Sequence, residues 1–139
     1  MKNLFAILMS SVLWAVSCSS PQTVADKIAD ASAATSNAEY QRAGAICQQI
    51  LTDYPMEQLT AADLCSMAVI LIKASEHADA EENAAAAVRC YHFVTSEKQD
   101  SAAIYWGDMP SEDFQYVFLL NNLNTSLTTA SDPALIPEE

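Results

Sequence analysis

Apolar residues along the chain recur at the spacing of α-helix faces, in five stretches separated by short polar segments. Within each stretch they stand three or four positions apart, which places them on one side of a helix. The predicted helices cover about residues 23–34, 36–54, 60–77, 79–95 and 111–127. Residues 67–72 are all apolar, so the third helix is expected to be covered on most of its sides.

The starts of three of these helices carry pairs of residues with capping spacing. In a capping box, the first side chain accepts a hydrogen bond from the backbone N–H three residues on, and the side chain there bonds back to the first N–H. The pairs are Ser36 and Glu39, Thr60 and Asp63, and Asp79 and Glu82. We therefore expect helices to begin at these positions.

The connections and the glycine content together indicate the fold class. Short loops between consecutive helices make neighbouring helices antiparallel. Gly44 and Gly107 are the chain's two glycines, and so few glycines disfavour tight turns and phosphate-binding loops. The sequence therefore predicts an all-α fold, either stacked antiparallel helical hairpins or a small helical bundle. A loop is expected at residues 101–110, and a flexible acidic tail at 128–139.

The N-terminal segment has the order of features of a secretory signal. Lys2 is followed by an apolar run at residues 4–16 and then by small residues. A helix of that length rises only about 20 Å, against a hydrocarbon core of about 30 Å. Residues 1–17 are thus predicted to be a cleaved signal peptide.

Residues 15–18, with the sequence Ala-Val-Ser-Cys, resemble the lipobox of bacterial lipoproteins. The resemblance implies that Cys18 becomes the lipid-carrying first residue, followed by a short tether at 18–22 and a helical domain that ends at 127. Ser19 stands where Asp would favour the inner membrane, so the resemblance favours the outer membrane of the cell envelope. The alternative is ordinary cleavage after Ser17, with Cys18 left unmodified.

The charge balance restricts the classes of partner. The chain contains 18 acidic and 6 basic residues, a net charge of −12, and removal of residues 1–17 takes away one lysine and no acid. Such a negative field repels phosphate backbones, which excludes nucleic acid as a partner. The acids either attract cations or a basic partner, or they form a solvated helical surface.

One helix resembles part of a known repeat family. The residues that stand at the spacing of the second helix of a tetratricopeptide-type repeat are Tyr40, Ala43, Ile50, Leu51 and Pro55. The small residue lets a paired helix approach closely, and the proline ends the helix. Cys47 replaces the usual aromatic residue, and no regular repeat period is visible. The resemblance implies a degenerate hairpin stack that presents a surface to protein partners.

Three cysteines remain besides Cys18, and export would place them in an oxidising compartment. A turn at residues 77–78 puts Cys65 and Cys90 at the same height on neighbouring helices. Bridged Cα atoms must approach within about 7 Å, and closing this loop would contribute about 3 kcal/mol. Cys65–Cys90 is therefore the predicted disulfide. Cys47 competes for Cys65, and three buried thiols are the alternative.

The sequence offers no pattern for catalysis, cofactors or metals. Cys90 and His92 are two residues apart and so point to different faces of a helix. His77 is expected in a solvated turn, and the adjacent Glu81 and Glu82 face different directions. We therefore predict a protein that is not an enzyme and that needs no cofactor and no metal.

These observations predict a non-catalytic envelope lipoprotein that acts as a helical protein-interaction or accessory module. Its expected partners are the membrane, through the lipid, and another envelope protein. Tyr105 and Trp106, in the predicted loop, either anchor that partner or close the end of the bundle. The alternative function is a helical bundle that binds a small ligand in an apolar pocket of roughly several hundred Å³.

The Cys18→Ala variant tests the predicted lipid anchor. We expect it to move from the membrane pellet to the soluble envelope fraction, because a lipid chain contributes about 0.8 kcal/mol of membrane affinity per buried CH₂. Fractionation and immunoblotting measure the distribution, with Ser20→Ala as the control that keeps residues 15–18 intact. Continued tight membrane association of Cys18→Ala would contradict lipidation.

Overall fold

A computed structural model of the protein describes residues 21–130 as an all-α structure, which confirms the predicted fold class. Its helices are α1 (Val24–Ser36), α2 (Tyr40–Asp53), α3 (Ala61–Ser75), α4 (Ala80–Glu97), α5 (Gln99–Gly107) and α6 (Phe114–Ala130). Short 3₁₀ helices at Met56–Gln58 and Ser111–Asp113 precede α3 and α6. Within the described range, no helix combines the length and the apolar character needed to cross a bilayer.

The capping box predicted at the start of α3 is confirmed. The Thr60 side chain accepts a hydrogen bond from the Asp63 N–H at 3.1 Å, and the Asp63 carboxylate accepts one from the Thr60 N–H at 3.1 Å. A second capping box, formed by Thr23 and Asp26, starts α1. Each box satisfies two backbone N–H groups that a helix start otherwise leaves without partners.

The capping box predicted at Ser36 and Glu39 is wrong. Ser36 is the last residue of α1, and its hydroxyl donates to the Ser32 carbonyl at 3.1 Å. Glu39 is the N-cap of α2, and its carboxylate accepts a hydrogen bond from Arg42 at 3.1 Å. The polar side chains here therefore bond within helices and not across the turn.

Backbone hydrogen bonds at the end of α1 explain this difference. The Glu39 N–H donates to the Ala34 carbonyl at 2.8 Å, and the Ala38 N–H donates to the Thr35 carbonyl at 3.0 Å. Ala38 takes the left-handed conformation, with φ of 60°. This is the Schellman pattern of a helix C-terminus, in which glycine is the usual residue. The capping spacing of Ser36 and Glu39 is therefore not used, because backbone carbonyl groups of α1 already accept the hydrogen bonds of the N–H groups in this turn.

The start of α4 also differs from its prediction. Asp79 precedes α4 but has a left-handed backbone, with φ of 43°, and its side chain makes no capping hydrogen bond. An N-cap side chain reaches the next turn from an extended backbone, which Asp79 lacks. Its conformation belongs instead to the tight turn after α3.

Residues 101–110 were predicted to be a loop, and this is wrong for most of the segment. The α4 helix ends at Glu97, its C-cap Lys98 breaks the helical path with a φ of −136°, and α5 begins at Gln99. Ala102 is buried and anchors α5 to the core. At the other end of the chain, α6 continues to Ala130, so residues 128–130 are helical, and the rest of the predicted tail, 131–139, lies outside the described residues.

The α3 helix is the centre of the described structure. It contacts α1, α2, α4, α5 and α6. Its buried residues are Ala61, Leu64, Cys65, Met67, Ala68, Val69, Ile70, Leu71, Ile72 and Ala74. Complete burial of one large aliphatic side chain stabilises a fold by roughly 1.5–3 kcal/mol. The expectation that the third helix is covered on most sides is confirmed.

A close approach between α2 and α4 depends on Gly44. A Cβ atom at Gly44 would lie 2.7 Å from the Asn83 side-chain nitrogen. Asn83 is only 2 % exposed; its Nδ2 donates to the Ala78 carbonyl at 2.9 Å, and its Oδ1 accepts from Gln48 Nε2 at 3.2 Å. The absence of a side chain at Gly44 therefore makes room for a hydrogen-bonded amide that ties the α3–α4 turn to α2.

Substituting Gly44→Ala should lower the free energy of unfolding by about 1 kcal/mol, because overpacking costs roughly 2 kcal/mol in the middle of its range and better helix propensity returns about 1. Urea denaturation followed by circular dichroism measures the change. Gly107→Ala is the matched control, since a Cβ there would contact nothing within 4 Å. Equal or higher stability of Gly44→Ala would contradict the close approach.

Candidate interaction groove

The incomplete coverage of α3 leaves a groove between α1 and α5. Ser66 and Lys73 are only partly buried, and together with Val69 and Ile70 they line its floor. These positions recur every three or four residues, so they form one stripe along α3. The groove has a volume of about 1010 Å³ and is open to solvent along walls of exposed residues.

The α1 wall of the groove consists mainly of small residues. Ala25, Ala29, Ser32 and Ser36 are exposed and stand three or four positions apart, so they share one face of α1. Ile28, on the same side, is 8 % exposed and joins this wall to the core. Small side chains leave room for another helix to come close to the backbone.

The α5 wall carries larger side chains. The Tyr105 hydroxyl lies 2.8 Å from the Ser66 hydroxyl, which fixes the distance between α5 and α3. Ile104, one residue earlier, lines the groove and is 69 % exposed. An isoleucine with so much exposed surface adds little to the stability of the fold. Beside a concave surface, it adds much to the affinity for a partner that covers it.

One end of the groove is closed by an ion pair. Lys73 Nζ lies 2.5 Å from the Asp113 carboxylate and 5.1 Å from the centre of the Tyr116 ring. Both side chains of the pair are about one-fifth exposed. The pair neutralises the one cation of the groove lining, whereas Asp108 and Glu112 at the same end form no ion pair among the described residues. The groove therefore has an acidic character.

Tyr105 and Trp106, the predicted partner-contact residues, have separate surroundings. Both lie in α5 and not in a loop. Tyr105 lines the groove, while the Trp106 ring packs edge-on against Tyr105 at 5.3 Å and lies 6.0 Å from the Tyr91 ring. The buried Trp106 Nε1 has no hydrogen-bond partner in the described part of the chain. Trp106 thus packs against the core and Tyr105 lines the groove, while contact of either residue with a partner stays a prediction.

Sequence reasoning missed Ile104 as a groove residue. The apolar run Ile104-Tyr105-Trp106 lies in the segment predicted to be a loop, whereas in the structure it belongs to α5. The last helix, α6, carries two apolar residues with different surroundings. Leu120 is fully buried, but Phe118 is 69 % exposed, because α3 and α4 cover only one side of α6.

The three cysteines of the described domain are buried free thiols. Cys47, Cys65 and Cys90 are each 0 % exposed. Burial raises the pKa of each thiol to about 12, and for Cys47 and Cys65 the nearby Cys90 adds to the increase. A disulfide between Cys65 and Cys90 is not formed in this structure, and its formation after export stays a prediction.

The histidines serve local packing. His92 Nδ1 lies 3.0 Å from the Asn124 side-chain oxygen, and the His77 ring stacks on Tyr40 with centroids 4.0 Å apart. Across residues 21–130, no three His, Cys, Asp or Glu side chains are grouped closely enough to hold a metal ion.

Comparison with known proteins gives no match: no family model fits the chain, and no curated protein or solved structure is significantly similar to it. The resemblance of residues 40–55 to a tetratricopeptide-type helix therefore stays a prediction. Cys18 lies outside the described residues, so lipid attachment stays a prediction as well.

The buried thiols lead to a prediction about reactivity. At pH 8 the folded, reduced protein should be alkylated by iodoacetamide at Cys47, Cys65 and Cys90 roughly a thousandfold more slowly than the unfolded chain, because raising a pKa by three units lowers the thiolate fraction about that much. Mass spectrometry of timed samples measures the rate, with the protein in denaturant as the control. Rapid labelling of the folded protein would show that these thiols are accessible.

The same shifts set the direction of a pH dependence. The folded state keeps its thiol protons at a pH where the unfolded state loses them, so the contribution of the thiols to stability is complete below about pH 9. It should decrease as the pH rises from about 9 towards 12. Urea midpoints across this range should fall less in a Cys47→Ala variant than in the parent protein.

Proposed function

We propose that the protein is a non-catalytic envelope lipoprotein whose helical domain binds another envelope protein in the groove between α1 and α5. The observation that carries the proposal is the position of Ile104, 69 % exposed on the wall of a groove of about 1010 Å³. A partner that covers this side chain removes apolar area from water, which is the main source of favourable free energy in protein association.

The composition of the groove supports a protein partner. Its α1 wall carries mainly small side chains, its floor carries Ser66 and Lys73, and its α5 wall carries Ile104 and the ring of Tyr105. Protein interfaces combine such an apolar centre with polar groups around it, and tyrosine is enriched in them. The walls belong to helices anchored on α3, so the surface is formed before a partner arrives.

The shape of the groove gives less support to the small-ligand alternative. Small-molecule sites bury most of the ligand surface in a largely enclosed cavity. Here Ala25, Ser32, Ser101 and Ile104 on the two walls are exposed, so the space is open along its length. The surface of the groove therefore suits a long segment of a partner protein better than a small molecule.

The location in the envelope comes from the N-terminal sequence. The signal-like residues 1–17 and the lipobox-like residues 15–18 support export and attachment through Cys18. A tether at residues 18–22 would keep the groove close to the membrane surface. The partner is accordingly expected among proteins of the same compartment.

Affinity capture tests this function. Wild-type protein should recover a reproducible partner from mildly cross-linked envelopes, and Ile104→Ser should recover at least tenfold less, since burial of an isoleucine is worth roughly 1.5–3 kcal/mol. Quantitative mass spectrometry measures the recovery. Phe118→Ser is the matched control, because Phe118 is equally exposed, at 69 %, but does not line the groove.

Each outcome of the capture has a definite meaning. Loss of the partner with Ile104→Ser and retention with Phe118→Ser supports the groove. Loss with Phe118→Ser alone places the partner on the outer face of α6 and contradicts the groove. Recovery of the protein by itself contradicts the interaction function.

A further inference from the structure

The chemistry of the groove indicates what kind of segment fills it. We infer that the groove binds a basic amphipathic α-helix of the partner protein, with its apolar face against Ile104 and its basic residues beside Asp108 and Glu112. The inference rests on the proposed interaction function and adds the secondary structure and the charge of the bound segment. It is derived from three features of the groove: its size, its walls and its carboxylates.

The size of the groove matches one helix. The floor runs along α3, whose 15 residues correspond to a length of about 22 Å. A helix of the same length and about 10 Å in diameter occupies roughly 1700 Å³. The groove, with a volume of about 1010 Å³, runs beside α3 between exposed walls, so it would receive one side of such a helix and leave the other side in water.

The walls suit a helix better than an extended strand. Ala25, Ala29, Ser32 and Ser36 form a row of small residues along α1. Rows of this kind are the grooves into which the side-chain ridges of a second helix fit. The groove is lined by helices, and the described part of the chain has no sheet edge to which an extended segment could add hydrogen bonds.

The apolar contact of the bound helix is asymmetric. On the α5 side, Ile104 is 69 % exposed and Met109 is partly exposed, while the exposed residues of the α1 side are alanines and serines. Large apolar residues of the bound helix therefore face Ala29 and the floor at Ile70, and smaller ones face Ile104. Such anchors recur at i, i+3, i+4 and i+7 in helices that bind to grooves.

The charges of the groove determine the polar face of the bound helix. Asp63, Asp108, Glu112 and Asp113 line the groove, and Lys73 is the one basic residue among the lining residues. Lys73 is already paired with Asp113, and the Asp63 carboxylate accepts the Thr60 N–H. The exposed carboxylates of Asp108 and Glu112 are left without ion pairs in the described structure.

Charge complementarity therefore requires lysine or arginine in the bound segment. An acidic segment would bring like charges next to Asp108 and Glu112, which costs free energy and gives discrimination between partners. The net charge of −12 of the whole chain also favours basic over acidic segments, because it attracts them over a longer distance.

Synthetic helices test the inference with the full chain. The probe is a fluorescent 15-residue amphipathic peptide with leucine and alanine on one face and lysine and arginine on the other. The comparison peptides are a sign-reversed version, with glutamate at the basic positions, and a scrambled version of the basic peptide. Fluorescence anisotropy at physiological salt measures affinity, and circular dichroism measures helix formation on binding.

We expect saturable binding of the basic peptide, at least tenfold tighter than either comparison peptide, with a gain of helix. The double variant Asp108→Asn/Glu112→Gln should weaken it about fivefold or more, since two exposed ion pairs are lost. The matched control is Glu81→Gln/Glu82→Gln on α4, which removes the same charge away from the groove and should change affinity by less than about twofold. Ile104→Ser should weaken binding about tenfold.

Several results would overturn the inference while leaving the interaction function standing. These are no measurable binding of the basic peptide, equal binding of the sign-reversed or scrambled peptide, or equal losses from the α4 and groove double variants. In each case, a captured partner that depends on Ile104 would show that the groove is used by a segment of different chemistry. Failure of the capture itself would instead remove the interaction function.

Discussion

The apolar surface of α3 is the constraint on which the rest of the structure depends. Leu64, Met67 and Leu71 are completely buried on a helix that would be insoluble without cover. Five other helices supply that cover, and each of them is only partly apolar, because each needs to contact α3 on one side. The fold is thus one central helix surrounded by five others. They leave α3 uncovered along the stripe of Ser66 and Lys73, where its side chains are polar.

The groove is a direct consequence of this arrangement. A polar stripe on α3 does not require cover, so α1 and α5 remain apart over it, held at their distances by buried residues such as Ala31 and Ala102. The Tyr105–Ser66 hydrogen bond and the Lys73–Asp113 ion pair use the polar groups of the stripe without filling the space. What remains is a preformed, acidic surface with Ile104 at its edge, which connects the packing of the core to the proposed binding of a basic helix.

The local signals in the sequence predicted this protein unevenly, for physical reasons. Thr60 and Asp63 formed the expected capping box because nothing else competes for their backbone groups. Ser36 and Glu39 have suitable spacing, but the backbone at Ala38 closes the α1–α2 turn without them. Residues 99–107 have little amphipathic pattern, and their helix is stabilised by contacts with α3 that no short window of sequence can reveal. Phe118 follows the apolar spacing of α6 and still faces outwards.

The amino-acid sequence by itself determined the helical class, the central position of α3 and the acidic charge, since periodicity, a fully apolar segment and residue counts are properties of the chain alone. It also contains the signal-like residues 1–17 and the lipobox-like residues 15–18, on which the prediction of export depends. Only the tertiary structure decided which apolar residues are covered. In the structure, Leu120 is buried, Phe118 is exposed, and Ile104 is exposed beside a groove. The reason is that periodicity defines the faces of a helix, whereas the number and placement of neighbouring helices decide which of those faces meet water.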